Sequence, residues 1–216
     1  MDNAGRGESD KLTYSERLTS ILTGATPYQL SSWRRRKLLV PEAGPTRQIF
    51  YSFRDLVALR SMVFLRSNTS LQRIDKAFGN LDLLDLTAHP SKYRFATNGK
   101  TIIVDPGDGT GIDLVQRPGQ KDSFTFEEIM DAFKDFKQRE VVDFRRPSQH
   151  VEVNFARLGG WPTVAGTRIP YNLVADLVDG VTVRDVDVSN YFPSVSAEAA
   201  RDVIAFDAKV KAVKVA

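Results

Sequence analysis

Four consecutive residues, Gly24 to Pro27, restrict the fold of this chain more than any other stretch. Glycine tolerates the left-handed backbone at a helix end, so Gly24 is expected to stop the helix that precedes it. Threonine followed by proline is typical of a helix start, with Thr26 as the N-cap and Pro27 in the first turn. Two helices joined by so short a turn are predicted to form a helix-turn-helix.

The second of these helices carries the stretch SSWRRRKLL, residues 31–39. Helical spacing places Leu30 and Trp33 on one face, which is expected to pack inward and fix the helix. Four cations cover the rest of the surface: Arg34, Arg35, Arg36 and Lys37. Such a run either forms an ordinary solvated surface or lies against phosphate groups. The helix is predicted to end near residues 38–40, because Pro41 blocks it.

Further signals surround this pair of helices. Thr13 and Glu16 fit a capping box for the first helix. Residues 41–51 contain turn residues and then a short extended run, which predicts a hairpin, or wing. Ser52 caps a third helix, and a fourth is expected over residues 69–78.

The middle and the end of the chain differ in pattern. Residues 92–119 alternate β-branched runs with Asn-Gly and Asp-Gly pairs, which predicts two hairpins or a small antiparallel sheet. Thr125 is expected to open a helix whose apolar side is Phe126, Ile129, Met130, Phe133 and Phe136. Residues 144–150 are predicted to form a linker. Three helices are then expected over residues 170–178, 182–189 and 196–211, with Thr182 and Ser196 capping the last two.

Charge is unevenly distributed along the chain, although the net charge is only +3. Residues 1–70 contain 11 Lys and Arg against 6 Asp and Glu, residues 71–149 contain 12 against 13, and residues 150–216 contain 7 against 8. A polyanionic partner is therefore expected to meet the N-terminal third. The chain has no cysteine, which excludes a disulfide framework, a thiolate metal site and a thiol nucleophile, and favours a cytoplasmic location.

The order helix, turn, basic helix, hairpin, helix is that of a winged helix-turn-helix, and its residues resemble the MerR family of DNA-binding domains. The family pattern is a helix ending in Trp and basic residues, then Leu-Leu-x-Pro, a turn, Arg-x-Tyr, and a helix that begins Ser-x-x-Asp-Leu. The matching positions are Trp33, Leu38, Leu39, Pro41, Arg47, Tyr51, Ser52, Asp55 and Leu56. Three residues instead of one separate Arg47 from Tyr51, so either Tyr51 or Phe50 fills the aromatic position.

In a helix-turn-helix, the N-terminal end of the second helix contacts base edges. The candidates here are Tyr28, Gln29, Ser31 and Ser32. The cations Arg34, Arg35, Arg36 and Lys37 are expected to bind phosphates, which adds affinity with little sequence choice. Arg47, in the wing, is a further DNA-binding candidate. MerR proteins usually continue into a long dimerising coil, but this chain has no sustained heptad stretch after residue 80.

The last third resembles a small helical family of unknown function whose core is Gly-x-Pro-x-(Ile/Val)-x-Gly-Thr-Arg-Ile. The matching residues are Gly160, Pro162, Val164, Gly166, Thr167, Arg168 and Ile169. Members resemble VapB-type antitoxins, which neutralise a PIN-like ribonuclease toxin encoded beside them, and the fold implied is a helix-turn-helix-like three-helix bundle. The candidate contacts with such a toxin are Arg157, Arg168, Arg184 and Arg201. Arg168 either anchors the turn at Gly166 by hydrogen bonds or contacts the partner.

The predicted fold class is α+β and mostly helical, with an N-terminal winged helix-turn-helix, a central β-hairpin region or small antiparallel sheet, and a C-terminal three-helix, helix-turn-helix-like bundle. The predicted division lists a disordered tail at 1–10, the MerR-like domain at 11–80, a β-hairpin region plus helix for dimerisation at 81–145, and an antitoxin-type helical domain at 150–216.

No catalytic constellation is recognisable, so we expect no enzymatic activity, no cofactor and no metal. Asp105, Asp108 and Asp113 stand among glycines, either as a metal loop or as turn residues, but an EF-hand's terminal Glu is missing. Two functions stay open: a DNA-binding antitoxin that represses its own operon, or a MerR-like transcriptional regulator with a small-molecule effector domain. Either is expected to bind operator DNA as a homodimer, because one winged helix-turn-helix contacts only a short half-site.

Overall fold

The helix-turn-helix forms at the residues that predict it. A computed structural model of the chain describes residues 13–41, 48–86, 88, 90–97, 100–106, 111–122 and 129–215. Helix α1 (Glu16–Thr23) ends at Gly24, which is left-handed with a φ of 78°. Helix α2 (Pro27–Arg35) begins with a capping box in which Thr26 and Gln29 bond each other's backbone N–H groups.

Helix α1 begins later than predicted. Its cap is Ser15 and not Thr13, because the Ser15 hydroxyl accepts the N–H of Leu18 at 3.3 Å. Tyr14–Ser15 (β1) stays extended since it pairs antiparallel with Phe50–Tyr51 (β2). The extended run of the predicted wing therefore pairs with a strand that precedes α1. The rest of that wing, residues 42–47, lies outside the described residues.

Helix α2 ends earlier than predicted, at a lysine in the left-handed conformation. Lys37 has a φ of 56°. Its N–H donates to the carbonyl of Arg34, and the N–H of Leu38 donates to the carbonyl of Trp33, both at 3.0 Å. These bonds form a Schellman motif with lysine where glycine is usual. The helix thus stops before Pro41 can block it.

The predicted third and fourth helices and the central sheet are confirmed. Helix α3 (Phe53–Asn68) begins with a capping box of Ser52 and Asp55, and α4 is Leu71–Leu83. Four antiparallel strands follow in the order β3-β4-β5-β6, namely Arg94–Thr97, Ile102–Asp105, Gly111–Asp113 and Lys121–Asp122. Buried residues of α4 and the sheet form one hydrophobic cluster.

The Phe-lined helix predicted from Thr125 is wrong within the described residues. Residues 123–128 lie outside them, and Phe133–Lys134 (β7) pairs with Glu140–Val141 (β8) as a hairpin. The apolar spacing is helical, but this segment pairs with residues 140–144 instead, and several of its carbonyls accept bonds from a side chain of α3. The acceptors of that side chain, Arg60, are the carbonyls of Ile129, Met130, Asp131 and Val142.

Arg60 joins three parts of the chain. Its guanidinium is buried between the rings of Phe133 and Phe144 and also donates to the carbonyl of Leu22, at the end of α1, at 2.8 Å. Burial lowers the pKa of Arg60 to about 10, so the side chain remains charged at neutral pH. Five carbonyl acceptors compensate for removing that charge from water.

The last third combines helices with a small sheet, so the predicted bundle of three helices needs correction. Val151–Glu152 (β9) and Thr163–Val164 (β10) pair antiparallel before α5 (Tyr171–Leu177) and α6 (Ala197–Ala212). The middle helix is a 3₁₀ helix over Asp185–Asn190. Thr182 does not cap it, because its N–H and those of its neighbours bond the Asp179 carboxylate. Ser196 caps α6 as predicted, and the whole chain is α+β and mostly helical.

The first and last thirds share one hydrophobic core. This cluster contains Leu22, Leu30, Leu59, Val151, Val174 and Phe206. Residues 144–150, predicted as a linker, run along it: Phe144 is buried, and the N–H of His150 donates to Asp202 at 2.6 Å. The helix-turn-helix and the C-terminal helices are therefore packed against each other.

Candidate nucleic-acid interface

Helix α2 presents a stripe of side chains on the side opposite its buried anchors. Leu30 and Trp33 are buried, as their spacing predicts. Tyr28, Ser32 and Arg35 follow one another at intervals of four and three residues and so lie on the opposite side of the helix. Tyr28 is 76% exposed and Arg35 is exposed, while Ser32 is half-buried. The stripe is accessible to a macromolecule that lies along α2.

The other two candidate base contacts differ from Tyr28 in accessibility. The Oε1 atom of Gln29 accepts the N–H and the hydroxyl of Thr26 at 2.9 and 3.0 Å, so this side chain belongs to the helix cap. Ser31 is half-buried, as Ser32 is. Tyr28 is therefore the most accessible of the four predicted residues.

The four cations at the end of α2 divide into two pairs. Arg34 is half-buried and donates to the Tyr51 hydroxyl at 3.4 Å, and Arg36 forms an ion pair with Asp75 of α4. Arg35 and Lys37 are exposed, and neither is paired with another of the described residues. An unpaired cation keeps its full attraction for phosphate, whereas the field of Arg36 is largely cancelled by Asp75. Arg34 keeps its charge, because its partner is a hydroxyl, but it is less accessible.

Tyr51 fills the aromatic position for which Phe50 was the alternative. Tyr51 is buried, whereas Phe50 is half-buried. Burial and then the negative charge of Glu16 raise the pKa of Tyr51 to about 12, although Arg34 acts in the opposite direction. The neutral hydroxyl accepts from Arg34 and holds it toward β2. Arg47 lies outside the described residues.

A second element borders the stripe, and the sequence did not point to it. A groove of about 200 Å³ separates α2 from the β7–β8 hairpin. Tyr28 and Ser32 line one side, and Phe136, Lys137 and Arg139 line the other. The helical spacing of the apolar residues in this segment concealed the hairpin.

The candidate arginines of the last third are also divided. Three of them pair with carboxylates of the same third: Arg157 with Glu152 at 2.9 Å, Arg184 with Asp187 at 3.0 Å, and Arg201 with Asp185 at 2.7 Å. Arg168 is exposed and unpaired within the described part of the chain. Thr167 anchors the turn instead, because its hydroxyl donates to the Val164 carbonyl at 2.9 Å and accepts the Ile169 N–H at 3.0 Å. Within the described residues, no hydrogen bond of the Arg168 side chain supports the anchoring role considered for it.

The start of the C-terminal motif packs against the N-terminal third. Gly160 has a φ of 89°, and a Cβ there would lie 2.4 Å from ring atoms of Phe53 on α3. The hydroxyl of Tyr14 donates to the Gly159 carbonyl at 3.5 Å, and its ring lies 5.3 Å from that of Trp161. These residues are explained by close packing and need no ligand to account for them.

Asp113 acts as a turn residue. Its carboxylate accepts the Thr101 hydroxyl and the N–H groups of Val115 and Gln116, the latter two at 2.7 and 3.0 Å. Asp108 lies outside the described residues. Among those that are described, no group of three or more His, Cys, Asp or Glu is placed to hold a metal ion. Within the same residues, no helix is both long and apolar enough to cross a bilayer.

Comparison with known families matches both ends of the chain. Residues 19–80 match the MerR HTH family of regulatory proteins. Residues 151–206 match a protein family of unknown function, DUF433. No curated protein and no solved structure matches the chain. The chain thus joins an N-terminal MerR-type helix-turn-helix to a C-terminal DUF433 domain, and the first match supports DNA binding and transcription regulation.

Proposed function

We propose that this chain is a cytoplasmic DNA-binding antitoxin that represses its own operon, neutralises a PIN-like ribonuclease toxin and catalyses no reaction itself. The observation that carries the DNA-binding half is the exposed stripe of Tyr28, Ser32 and Arg35 on a helix that Thr26 caps and Trp33 anchors. A rigid helix of this kind fits the major groove, with base contacts near its start and phosphate contacts at its end.

Repression requires two copies of the chain on a palindromic operator. Helix α2 has nine residues and offers few base contacts, so useful affinity calls for two half-sites related by two-fold symmetry. A surface suited to the predicted homodimer is the four-stranded sheet, whose edge strands are β3 and β6. Light scattering of the full chain at micromolar concentration tests this, and a single-chain mass with and without DNA contradicts it.

The DNA-binding half is tested with the duplex that precedes the chain's own gene and an unrelated duplex of equal length. We expect a preference for the first and footprints on two half-sites about one helical turn apart. Tyr28→Ala should reduce that preference about tenfold, since a good base contact discriminates by 1–3 kcal/mol. Tyr191→Ala, which removes an exposed tyrosine of the last third, is the matched control. Failure of the full chain to bind either duplex contradicts the proposal.

The antitoxin half rests on the exposed surface of the last third. Arg168 is unpaired there, and the same third exposes the apolar side chains of Leu173, Val181, Val186 and Tyr191. Arginine and exposed apolar groups are typical of protein interfaces. A ribonuclease whose site is acidic has charge complementary to an unpaired arginine.

Co-expression with a PIN-like protein encoded beside the gene tests this half. The full chain is used, because residues 150–216 share a core with the helix-turn-helix and are not expected to fold alone. We expect wild type to bind the toxin and to restore growth. Arg168→Ala should weaken both effects, whereas Arg201→Ala, which removes an arginine paired with Asp185, should not. A wild-type chain that neither binds nor rescues contradicts the antitoxin role.

A regulator controlled by a small effector is the second candidate, favoured by one cavity. A space of about 670 Å³ lies between the end of α2 and α4 and is lined by Arg36, Leu38, Phe78, Asp82 and Leu86, among others. This volume is within the range of small-molecule sites. An occupant would contact the end of α2 directly. A metabolite that raises the Tm and also changes the affinity for DNA would favour this function.

A further inference from the structure

We propose that the β7–β8 hairpin, residues 133–141, is a second DNA-contacting arm that binds the phosphate backbone beside α2. We call it the hairpin arm. It lies outside the segment that matches the MerR family, residues 19–80. The inference rests on the proposed DNA binding by α2 and adds a second element to that interface.

The hairpin arm is fixed against the turn of the helix-turn-helix. Two methyl carbons of Val141 lie 2.7 Å from the point where a Cβ on Gly24 would stand. Phe133 packs edge-on against Phe64 of α3, with ring centroids 5.3 Å apart. Arg60 binds carbonyls on both sides of the arm. The arm therefore keeps a fixed position relative to α2.

A buried carboxylate shapes the tip of the arm. Asp135 accepts the N–H groups of Lys137 and Arg139 at 2.8 and 2.9 Å, and the Nε of Arg139 at 2.7 Å. Arg139 is thereby neutralised by Asp135, and Lys134 lies 3.6 Å from Glu140. Lys137 is the cation of the arm that has no ion pair with the described residues.

Phe136, at the tip, stands beside two cations. The guanidinium carbon of Arg66 lies 4.5 Å from its ring centroid, and the Nζ of Lys137 lies 5.7 Å from it. Phe136 is 38% exposed, and neither cation has an ion pair in the described part of the chain. Cations held on an aromatic ring keep their charge and lose less freedom when they bind an anion.

This cluster faces the exposed stripe of α2 across the groove of about 200 Å³. A helix in the major groove has a phosphate backbone on each side of it. Arg35 and Lys37 stand at the C-terminal end of α2, whereas the arm borders Tyr28 in its first turn and contacts Gly24 just before it. The arm thus lies where a strand passes the start of the helix, with positive charge that complements phosphate.

The test is the affinity of the full chain for an unrelated duplex, measured over a range of salt concentrations. Lys137→Ala should reduce the magnitude of the slope of log K against log salt by about 1 for each chain bound and weaken binding at low salt. Lys137→Glu should weaken it further. Lys214→Ala, which removes an exposed lysine near the C-terminus, should change neither quantity. An unchanged Tm in all three variants confirms that they fold.

The possible results distinguish failure of the proposal for the arm from failure of the proposed DNA binding by α2. If Lys137→Ala binds like wild type while Arg35→Ala and Lys37→Ala together weaken binding, the arm does not contact DNA, although α2 still does. If Lys137→Ala binds more tightly than wild type, the hairpin obstructs the duplex, and the proposal that it binds the phosphate backbone fails. If wild type binds no duplex at all, the proposed function itself fails. In a footprint on the duplex that precedes the gene, loss of backbone protection at the same position of each half-site in Lys137→Ala supports the arm.

Discussion

Three of the four candidate arginines in the last third are paired with carboxylates, whereas only one of the four cations at the end of α2 has such an ion pair within the described residues. In the last third, Arg157, Arg184 and Arg201 each pair with a neighbouring carboxylate. At the end of α2, Arg35 and Lys37 have no such partner among the described residues. Paired charges cancel at a distance, so the unpaired ones dominate the attraction of a polyanion. A count of charges alone does not make this distinction.

The two ends nevertheless depend on each other for stability. Phe53 of α3 packs against Tyr14, Phe144 and Phe155 and leaves space at Gly160 only for a hydrogen atom. The DNA-binding and C-terminal regions thus differ in their charges but share a core. The substitutions that follow alter either the core that the two regions share or the charged residues that distinguish them.

The largest effect is expected for Gly160→Ala. The new methyl group would overlap Phe53, and the backbone is left-handed, so we expect a loss of about 3 kcal/mol in the free energy of unfolding. Gly166→Ala is the control, because its backbone is also left-handed but the space is open, and it should cost about 1 kcal/mol.

Urea unfolding followed by tryptophan fluorescence measures both values. Trp33 and Trp161 report on the two ends, and Trp161→Phe isolates the first. A single transition shifted by Gly160→Ala is the expected result. Two separate transitions, with that of Trp33 unaffected, would contradict the shared core.

The next largest effect is expected at Asp135. Its ion pair with Arg139 in the hairpin arm is of the same kind as the arginine–carboxylate pairs of the last third. Asp135→Asn removes a charged acceptor of several hydrogen bonds and should destabilise the hairpin by about 2 kcal/mol. Amide exchange at Lys137 and Arg139 should accelerate by about tenfold or more. Glu140→Gln, at an exposed pair, should change exchange little. Equal exchange in both variants would contradict this role for Asp135.

Acid should reproduce the effect of that substitution. Burial raises the pKa of Asp135, but the hydrogen bonds from Arg139 and from backbone N–H groups outweigh it, so the net pKa is lowered. Because the pKa is lower in the folded state, the ionised carboxylate stabilises the hairpin at pH values above its unfolded pKa of about 3.9. This stabilisation is lost as the pH falls through the folded pKa. Amide exchange rates, corrected for their intrinsic pH dependence, should therefore show that the hairpin of the wild type opens more often below pH 4. The corrected rates of Asp135→Asn should show no such change with pH.

The smallest effect is expected at Lys37. Lys37→Gly removes the left-handed strain and should raise the free energy of unfolding by about 1 kcal/mol. Lys37→Ala removes the same charge and keeps the strain, so it should bring no gain in stability. Both should weaken DNA binding similarly. If Lys37→Gly bound DNA as tightly as wild type, the charge of Lys37 would not contribute to DNA binding, and the effect of the substitution would be limited to the relief of backbone strain.

Local signals allowed much of the fold to be predicted. Gly24, Thr26 and Ser196 end or begin helices through bonds to residues within four positions, so their roles follow from the nearby sequence. Burial of Leu30 and Trp33 followed from their spacing for the same reason. The start of α2 and its buried face therefore needed no knowledge of the rest of the chain.

What the sequence did not predict depends on distant residues or on rare backbone choices. The hairpin arm forms where a helix was predicted, and Arg60, far away in the chain, binds the carbonyls on both sides of it. The end of α2 was misplaced because a lysine, not a glycine, adopts the left-handed conformation. The pairing of Arg36 with Asp75 needs α4 to be placed beside α2, which no local pattern reveals.

The most direct measurement of the central claim is the salt dependence of duplex binding for two matched double variants of the full chain. Arg35→Ala with Lys37→Ala removes unpaired cations, and Arg184→Ala with Arg201→Ala removes paired ones. The slope of log K against log salt should fall in magnitude by about 2 for each chain bound, and so by about 4 for a bound dimer, in the first variant and stay unchanged in the second. Equal losses in the two variants, or no loss in the first, would contradict the assignment of DNA binding to the unpaired cations of α2.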